Sequence, residues 1–149
     1  MKSFHLDSLD LFQDFAKQRK EQLSLCVKEM VTARDEVTAI LGGDLNIRDS
    51  EISSLNNNEG LPASIIDVWE HLGRRKDVQY TWDTLRNTNV QIGGKFKPRM
   101  RFDRVLVRKG KEDLVTAKSF NLIGIQKVPG TQKFASDHWG ILVQFDLKN

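Results

Sequence analysis

The sequence predicts an α+β domain, on three observations. Its first quarter carries apolar residues at helical steps, and several later segments are β-branched or alternate in the manner of strands. The composition, 39% hydrophobic and 29% charged, is that of a globular chain rather than a disordered one. A length of 149 residues fits one domain, since compact domains commonly run ~100–200 residues.

Each element follows in order. Phe12, Phe15, Leu23, Val27 and Met30 recur at three- and four-residue steps or their multiples, which predicts an amphipathic helix over residues 10–34. Residues 36–41 are β-branched and end at Gly42-Gly43, the pattern of a buried strand. Asn56-Asn57-Asn58-Glu59-Gly60 is a polar run and reads as a loop tip. Pro62 opens and Gly73 closes a second helix over residues 63–72, because proline suits a first helical turn and glycine the position after the last. Residues 101–108 alternate, with Phe102, Arg104 and Leu106 on one side and Asp103, Val105 and Val107 on the other. That predicts a strand with one anomalous acid on its buried face. Residues 115–120 and 140–146 give two more strands, and the helices are expected to pack outside a sheet.

Several classes are disfavoured. The longest apolar runs, at residues 105–107 and 140–143, are far too short for a membrane span of ~20 residues. The first residues lack the apolar core of a secretory signal. With a single cysteine, Cys26, no intrachain disulfide or multi-cysteine zinc site can form, which fits a reducing compartment. The net charge of +3 is too small to identify a partner. From Lys95 to Lys111, however, basic residues crowd around one acid, Asp103. A solvated strand-and-loop face is the plainer reading, and a track for a polyanion is the other.

Three places resist a purely structural reading. After the first strand, Gly42-Gly43 permits a sharp turn that presents Asp44, Asn46 and Arg48 at i, i+2 and i+4. A carboxylate there can take a proton from water or hold a metal, and an arginine can clamp a phosphate. The alternative is an Asx-type turn that satisfies only local backbone. Before the last strand stands Ser136-Asp137-His138, either an acid/base pair or a histidine satisfied by its surroundings. The third place is Asp103, since an ionised carboxylate on an apolar face is costly unless paired. A histidine partner would fix the ring tautomer; an arginine is the alternative.

Together these places form an ordered set: Gly-Asp-x-Asn, then Arg-x-Asp-Arg, then Ser-Asp-His. The set resembles the C-terminal signatures of the endonuclease/exonuclease/phosphatase superfamily. Four further phrases sharpen the likeness: Phe4-His5-Leu6-Asp7-Ser8, residues 61–70, Gln79-Tyr80-Thr81-Trp82-Asp83-Thr84, and Ser136-Asp137-His138-Trp139-Gly140. They are similar to the branch that hydrolyses 5′-phosphotyrosyl bonds between DNA and a trapped topoisomerase, a DNA-repair reaction. The resemblance implies the C-terminal portion of a four-layer α/β/β/α sandwich (DNase I-like), with residues 1–149 forming one partial domain. It implies a Mg²⁺-dependent hydrolase, with Mn²⁺ as a substitute ion, acting on DNA 5′ ends that carry tyrosyl adducts and a topoisomerase-derived peptide. Nuclear placement, with a cytoplasmic fraction, follows from the resemblance alone.

By matching position, Asp44 would activate the water, Asn46 would hold it and a phosphate oxygen, and His138 would stabilise charge on the scissile phosphate. Asp103 would orient His138, and Asp137 would sit near the metal or the leaving group. His5 and Ser8 would meet the phosphate backbone, as would Asn46, Ile47 and Arg48 on the first loop. Trp82 would form a flat wall with Phe102 beside the 5′ end, over an apolar floor of Val90 and Ile92. Trp69 and Trp139 read as core.

The family domain is longer. Its N-terminal half carries a Trp-Asn phrase and the glutamate that holds Mg²⁺, and neither phrase occurs here. Asp7 stands in the glutamate position of a His-Leu-Glu-Ser phrase. The expectation is weak metal binding by Asp44 and Asp137, impaired activity, and an apolar sheet face that needs the N-terminal half to cover it. A non-catalytic remnant that binds DNA ends or a protein partner is the alternative function. An abasic-site nuclease or a lipid phosphatase is a third reading within the superfamily, against which Trp82, Val90 and Ile92 speak.

Overall fold

The computed structural model describes residues 15–148. The predicted helix appears as α1, Ala16–Thr32, with Leu23, Val27 and Met30 buried. Its predicted start and Phe12 lie outside the described residues. Strand β1 (Ala39–Asp44) is followed by a one-turn helix α2 (Asp49–Ser53) and a 3₁₀ turn, Asn56–Asn58. All three asparagines of that turn have positive φ, from 48° to 74°, a conformation asparagine tolerates better than other side chains. Next come β2 (Ile65–Asp67), α3 (Val68–His71), a 3₁₀ turn at Lys76–Val78, and two short strands, β3 (Trp82–Asp83) and β4 (Arg99–Met100). The chain ends with β5 (Asp103–Arg108), β6 (Val115–Ile123) and β7 (Gly140–Leu147).

Strand β5 is the centre of an antiparallel sheet ordered β1-β5-β2, while β3-β4 and β6-β7 form separate two-stranded ladders. Leu106 of β5 belongs to a core with Leu23, Val27 and Met30 of α1, together with Ile47, Ile52 and Ile65. The next residue, Val107, belongs to a second core with Val68, Trp69, Ala117 and Phe120. Successive strand residues point to opposite faces, so β5 is covered by a helix on one side and by the β6-β7 ladder on the other. The alternation in residues 101–108 therefore does not separate a buried face from a wet one: Arg104 and Leu106 are buried on one side, Val107 on the other.

Two elements differ from expectation. Strand β1 lies three residues further along than predicted and runs through Gly42 and Gly43. The ladder to β5 holds from Ala39↔Arg108 to Asp44↔Asp103, so the glycines extend the strand instead of turning the chain. The predicted helix over residues 63–72 is half strand. Ile65, Ile66 and Asp67 pair with Arg108, Val107 and Leu106, because the open edge of β5 suits β-branched residues better than a helix does. Asp67 then caps α3 by accepting from the Trp69 N–H at 3.1 Å, and Gly73, at φ 90°, ends it.

Candidate active site

The β1–β5 register places Asp44 directly opposite Asp103. Gly43 just before it has φ +148°, a conformation strained for a residue with a β-carbon. The chain turns at Asn46, φ 48°, whose N–H donates to Asp44 Oδ1 at 2.8 Å. The Asx-type turn is therefore present, and its carboxylate also faces Asp103. Ile47 drops into the core with no exposure. Arg48 becomes the N-cap of α2, and its N–H donates to Glu51 Oε2 at 2.7 Å.

His138 arrives from the other end of the chain. Its Nδ1 lies 2.7 Å from Asp103 Oδ2, so histidine, not arginine, pairs with this carboxylate. An ionised carboxylate can only accept, so the proton of a neutral ring sits on Nδ1, leaving Nε2 for other work. Both side chains keep a solvent path, at 23% and 17% exposure. One ligand atom from each of Asp44, Asp103 and His138 can be chosen so that all lie within 4.8 Å of one another. These three form an acidic group able to hold a cation.

What fixes this geometry is Thr81, which is fully buried. Its Oγ1 accepts from the N–H groups of Phe102 and Asp103 at 3.2 and 3.0 Å. Its carbonyl accepts from Trp139 N–H at 2.7 Å. One residue thus ties the start of β5 to the residue after His138. Asn87 holds the histidine loop from below, donating to Ser136 O at 2.9 Å. Asn89 donates to Phe134 O at 2.8 Å and accepts from Phe134 N–H at 3.0 Å.

Aromatic rings back the histidine. Phe102 stacks on it with centroids 6.3 Å apart, and Trp82 leans on Phe102 at 5.8 Å. Both rings are buried, at 5% and 9% exposure, so the Trp82 wall is largely core. Val90 and Ile92 are half-buried.

Under the first loop lies an ion-pair network. Arg101 and Arg104 have side chains only 2% and 1% exposed, and both reach Asp67 Oδ2, at 2.6 and 3.1 Å. Both also reach Asp49 Oδ1, at 2.7 and 2.6 Å, and Arg101 meets Glu70 at 3.1 Å. Arg104 additionally donates to Ile47 O at 3.4 Å, and Arg101 lies over the Trp69 ring at 4.4 Å. Burial alone would push the Asp49 carboxyl up, but the two guanidiniums outweigh it and hold it below the usual range.

Several expectations are corrected here. Ile47 is core and offers DNA no side chain. Arg101, Arg104 and Arg108 are buried and paired, so this part of the basic stretch is neither a solvated face nor a polyanion track. Arg108 instead donates to the carbonyls of Ala33, Arg34 and Val37 at 2.6–3.1 Å. Asp137 is exposed and not part of the Asp44–Asp103–His138 group. His5 and Ser8 lie outside the described residues. Nothing in the sequence assigns a role to Thr81, Asn87 or Asn89, and Arg101 and Arg104, although they belong to the Arg-x-Asp-Arg set, carry no partner in it. The density of arginines inside an alternating strand was the one signal that pointed toward the network.

Comparisons with known proteins agree on one neighbourhood. No protein-family model matches the chain. Over 144 residues, 96% of the chain, it is 41% identical to a Gallus gallus protein and 40% identical to a Homo sapiens protein, both called tyrosyl-DNA phosphodiesterase 2. The chain is similar to one part of tyrosyl-DNA phosphodiesterase 2. It spans 37% of the length of each of those two relatives. The crystal structure of the Danio rerio enzyme, complexed with single-strand DNA product, superposes with a TM-score of 0.79 at 34% identity. That match covers 98% of this chain and 53% of the other. The Caenorhabditis elegans structure gives a TM-score of 0.73 at 32% identity, covering 98% of this chain and 39% of that one. The fold is thus that of the matching portion of tyrosyl-DNA phosphodiesterase 2, a DNase I-like α+β architecture.

Proposed function

We propose that this site serves hydrolysis of the bond between a tyrosine and the 5′ phosphate of DNA, as part of DNA repair. The Asp103–His138 pair at 2.7 Å, set beside Asp44, carries the reading. The relatives' name and the DNA product in the Danio rerio structure support the substrate class.

Water attacks phosphorus in line, and the P–O bond to the tyrosine breaks. Asp44 takes the proton from the attacking water, and Asn46 holds that water against a phosphate oxygen. His138 in its imidazolium form, its Nδ1–H held by Asp103, donates its Nε2–H to an oxygen that gains negative charge. Such fixed donors are each worth about 10²–10³-fold in rate. Arg48 clamps a backbone phosphate, and the half-buried Val90 and Ile92 shield the 5′ terminus while the buried Phe102 and Trp82 rings back His138. The tyrosine leaves with its topoisomerase-derived peptide, and a nuclear location suits that work.

Mg²⁺, or Mn²⁺ in its place, fits the oxygen donors here, since Asp44 is exposed and Asp103 lies within reach; magnesium is held by one or two carboxylates plus substrate phosphates. When bound, it neutralises charge on the phosphate and the departing phenolate.

The test is release of 5′-phosphorylated product from a 5′-phosphotyrosyl oligonucleotide in Mg²⁺. Asp44→Asn and His138→Ala should each slow release about 10²-fold or more. Turnover that survives Asp44→Asn would refute the assigned base. No turnover by the unsubstituted chain would overturn the proposal for these 149 residues.

A further inference from the structure

The outer side of α1 borders a groove. Lys17, Glu21, Ser24, Lys28 and Val31 follow one another at alternating four- and three-residue steps, which sets them in one row along the helix. Opposite that row stand Ser54, Leu55, Asn56 and Asn57, with Pro62 beyond them. Two hollows of about 590 and 230 Å³ lie between these walls. Both are lined by Ser24, Lys28, Leu55 and Asn56, so they form one channel. From Lys17 to Val31 the row is about 21 Å long, at 1.5 Å of helical rise per residue.

The floor of the groove is apolar and its rim is basic. Val27 and Leu55 close the bottom, where the groove meets the helix-side core. Leu25 and Val31 stand 65% and 41% exposed along it, and both lie outside the two hydrophobic cores. Lys17, Lys20 and Lys28 line the rim against one acid, Glu21. Glu21 reaches Lys17 at 3.8 Å with both side chains mostly exposed, an ion pair that water screens. Lys20 Nζ donates to a hydroxyl, Ser54 Oγ, at 3.4 Å. Among the described residues, no acid pairs with Lys20 or Lys28.

We propose that this groove docks an acidic amphipathic helix of a partner protein. Apolar side chains at three- and four-residue steps on that helix cover Leu25 and Val31, and its Asp and Glu flanks meet Lys17, Lys20 and Lys28. The charge of the rim selects acids over bases, and the apolar floor supplies the burial that charge pairs at a surface do not. A helix fits better than an added strand, because neither wall is a sheet edge and the α1 row has a small residue, Ser24, at its middle. Helix-in-groove docking uses apolar anchors at this spacing. A nucleic acid would engage the lysines but not the floor, which has no aromatic ring on which a base could stack. None of these residues belongs to the Asp44–Asp103–His138 group, so docking here is independent of the hydrolysis proposed above.

The probe is a fluorescein-labelled synthetic peptide of about four helical turns, with leucines at three- and four-residue steps and glutamates on both flanks. Its anisotropy is followed as the 149-residue chain is added. Saturable binding that weakens as salt rises is expected. Lys17→Gln, Lys20→Gln and Lys28→Gln together should weaken binding about 3- to 100-fold and flatten the salt dependence. Leu25→Ala should weaken it about 10-fold and leave the salt dependence as it was. A peptide with lysines in place of the glutamates, which leaves the protein untouched, should not bind. No binding by the wild-type chain, or equal binding by both sets of variants, overturns the groove. Equal binding of a peptide with the same residues in an order that breaks the helical row overturns the helical partner. A single-stranded oligonucleotide that displaces the probe as well as unlabelled peptide does would assign the lysines to nucleic acid and overturn the protein partner. So would a dimer in sedimentation that Leu25→Ala dissolves and the peptide cannot compete away, since the occupant would then be a second copy of this chain.

Discussion

Thr81 shows how much can depend on one hydroxyl. Two backbone N–H groups at the start of β5 have its Oγ1 as their acceptor, in a place where the side chain is closed to water. A valine would fill the same space and accept nothing. Each buried donor left unpaired costs about 1–3 kcal/mol, so Thr81→Val should destabilise the chain by about 2–6 kcal/mol in urea unfolding. Thr81→Ser, which keeps the oxygen, should recover most of it. An unchanged midpoint for the valine variant would mean the hydroxyl is not the acceptor. No pattern in the sequence could announce this residue, since a threonine beside Trp82 looks like any strand threonine. Asp103 was different: its charge on an apolar alternation demanded a partner, and the partner is His138.

Among the elements, β2 and α3 are where the arginine network does its work. Two guanidiniums, buried almost completely, face Asp67, Asp49 and Glu70. Removing the carboxylate of Asp67, itself 5% exposed, takes away the buried counter-charge both cations share and leaves them only the more exposed Asp49 and Glu70. Asp67→Asn should therefore cost about 3–5 kcal/mol, read as the loss in unfolding free energy. Asp49 is a gentler test because its side chain is 57% exposed and screened by water. Its carboxyl is held below its ordinary value of 3.8, so its contribution is present above that value. It fades as pH falls through the lowered folded value. The gap in urea midpoint between wild type and Asp49→Asn should thus be full at pH 7 and shrink below about pH 4. A gap that widened in acid would reverse the sign and sink the argument. The same elements explain a misreading. Pro62 and Gly73 do punctuate residues 63–72 as a helix would be punctuated. Ile65 and Ile66 were nevertheless claimed by the edge of β5, and a local signal cannot foresee a distant partner. The strands at 115–120 and 140–146 were legible because they pair with each other and carry their own alternation.

At the scale of the molecule, β5 is the shared wall of two cores, and that arrangement makes its own prediction. Leu106 is fully buried against α1 and its neighbours, and Val107 is 1% exposed against α3 and the β6-β7 ladder. The two residues are adjacent in sequence, yet the pleat sends their side chains to opposite faces, where they share no packing partner. Truncating Leu106 to alanine should cost about 2–5 kcal/mol, with a smaller loss for Val107→Ala. Residues that share no partner combine additively to within about 0.5 kcal/mol, so the double variant should lose the sum. A domain whose two cores are joined through one strand should also unfold in a single transition, and circular dichroism and tryptophan fluorescence should report the same midpoint. Trp69 sits in the sheet-side core and α1 in the helix-side one, so these probes watch different layers. Divergent midpoints, or a coupling well above 1 kcal/mol between the two truncations, would show that β5 does not carry the cores as separate faces of one cooperative unit.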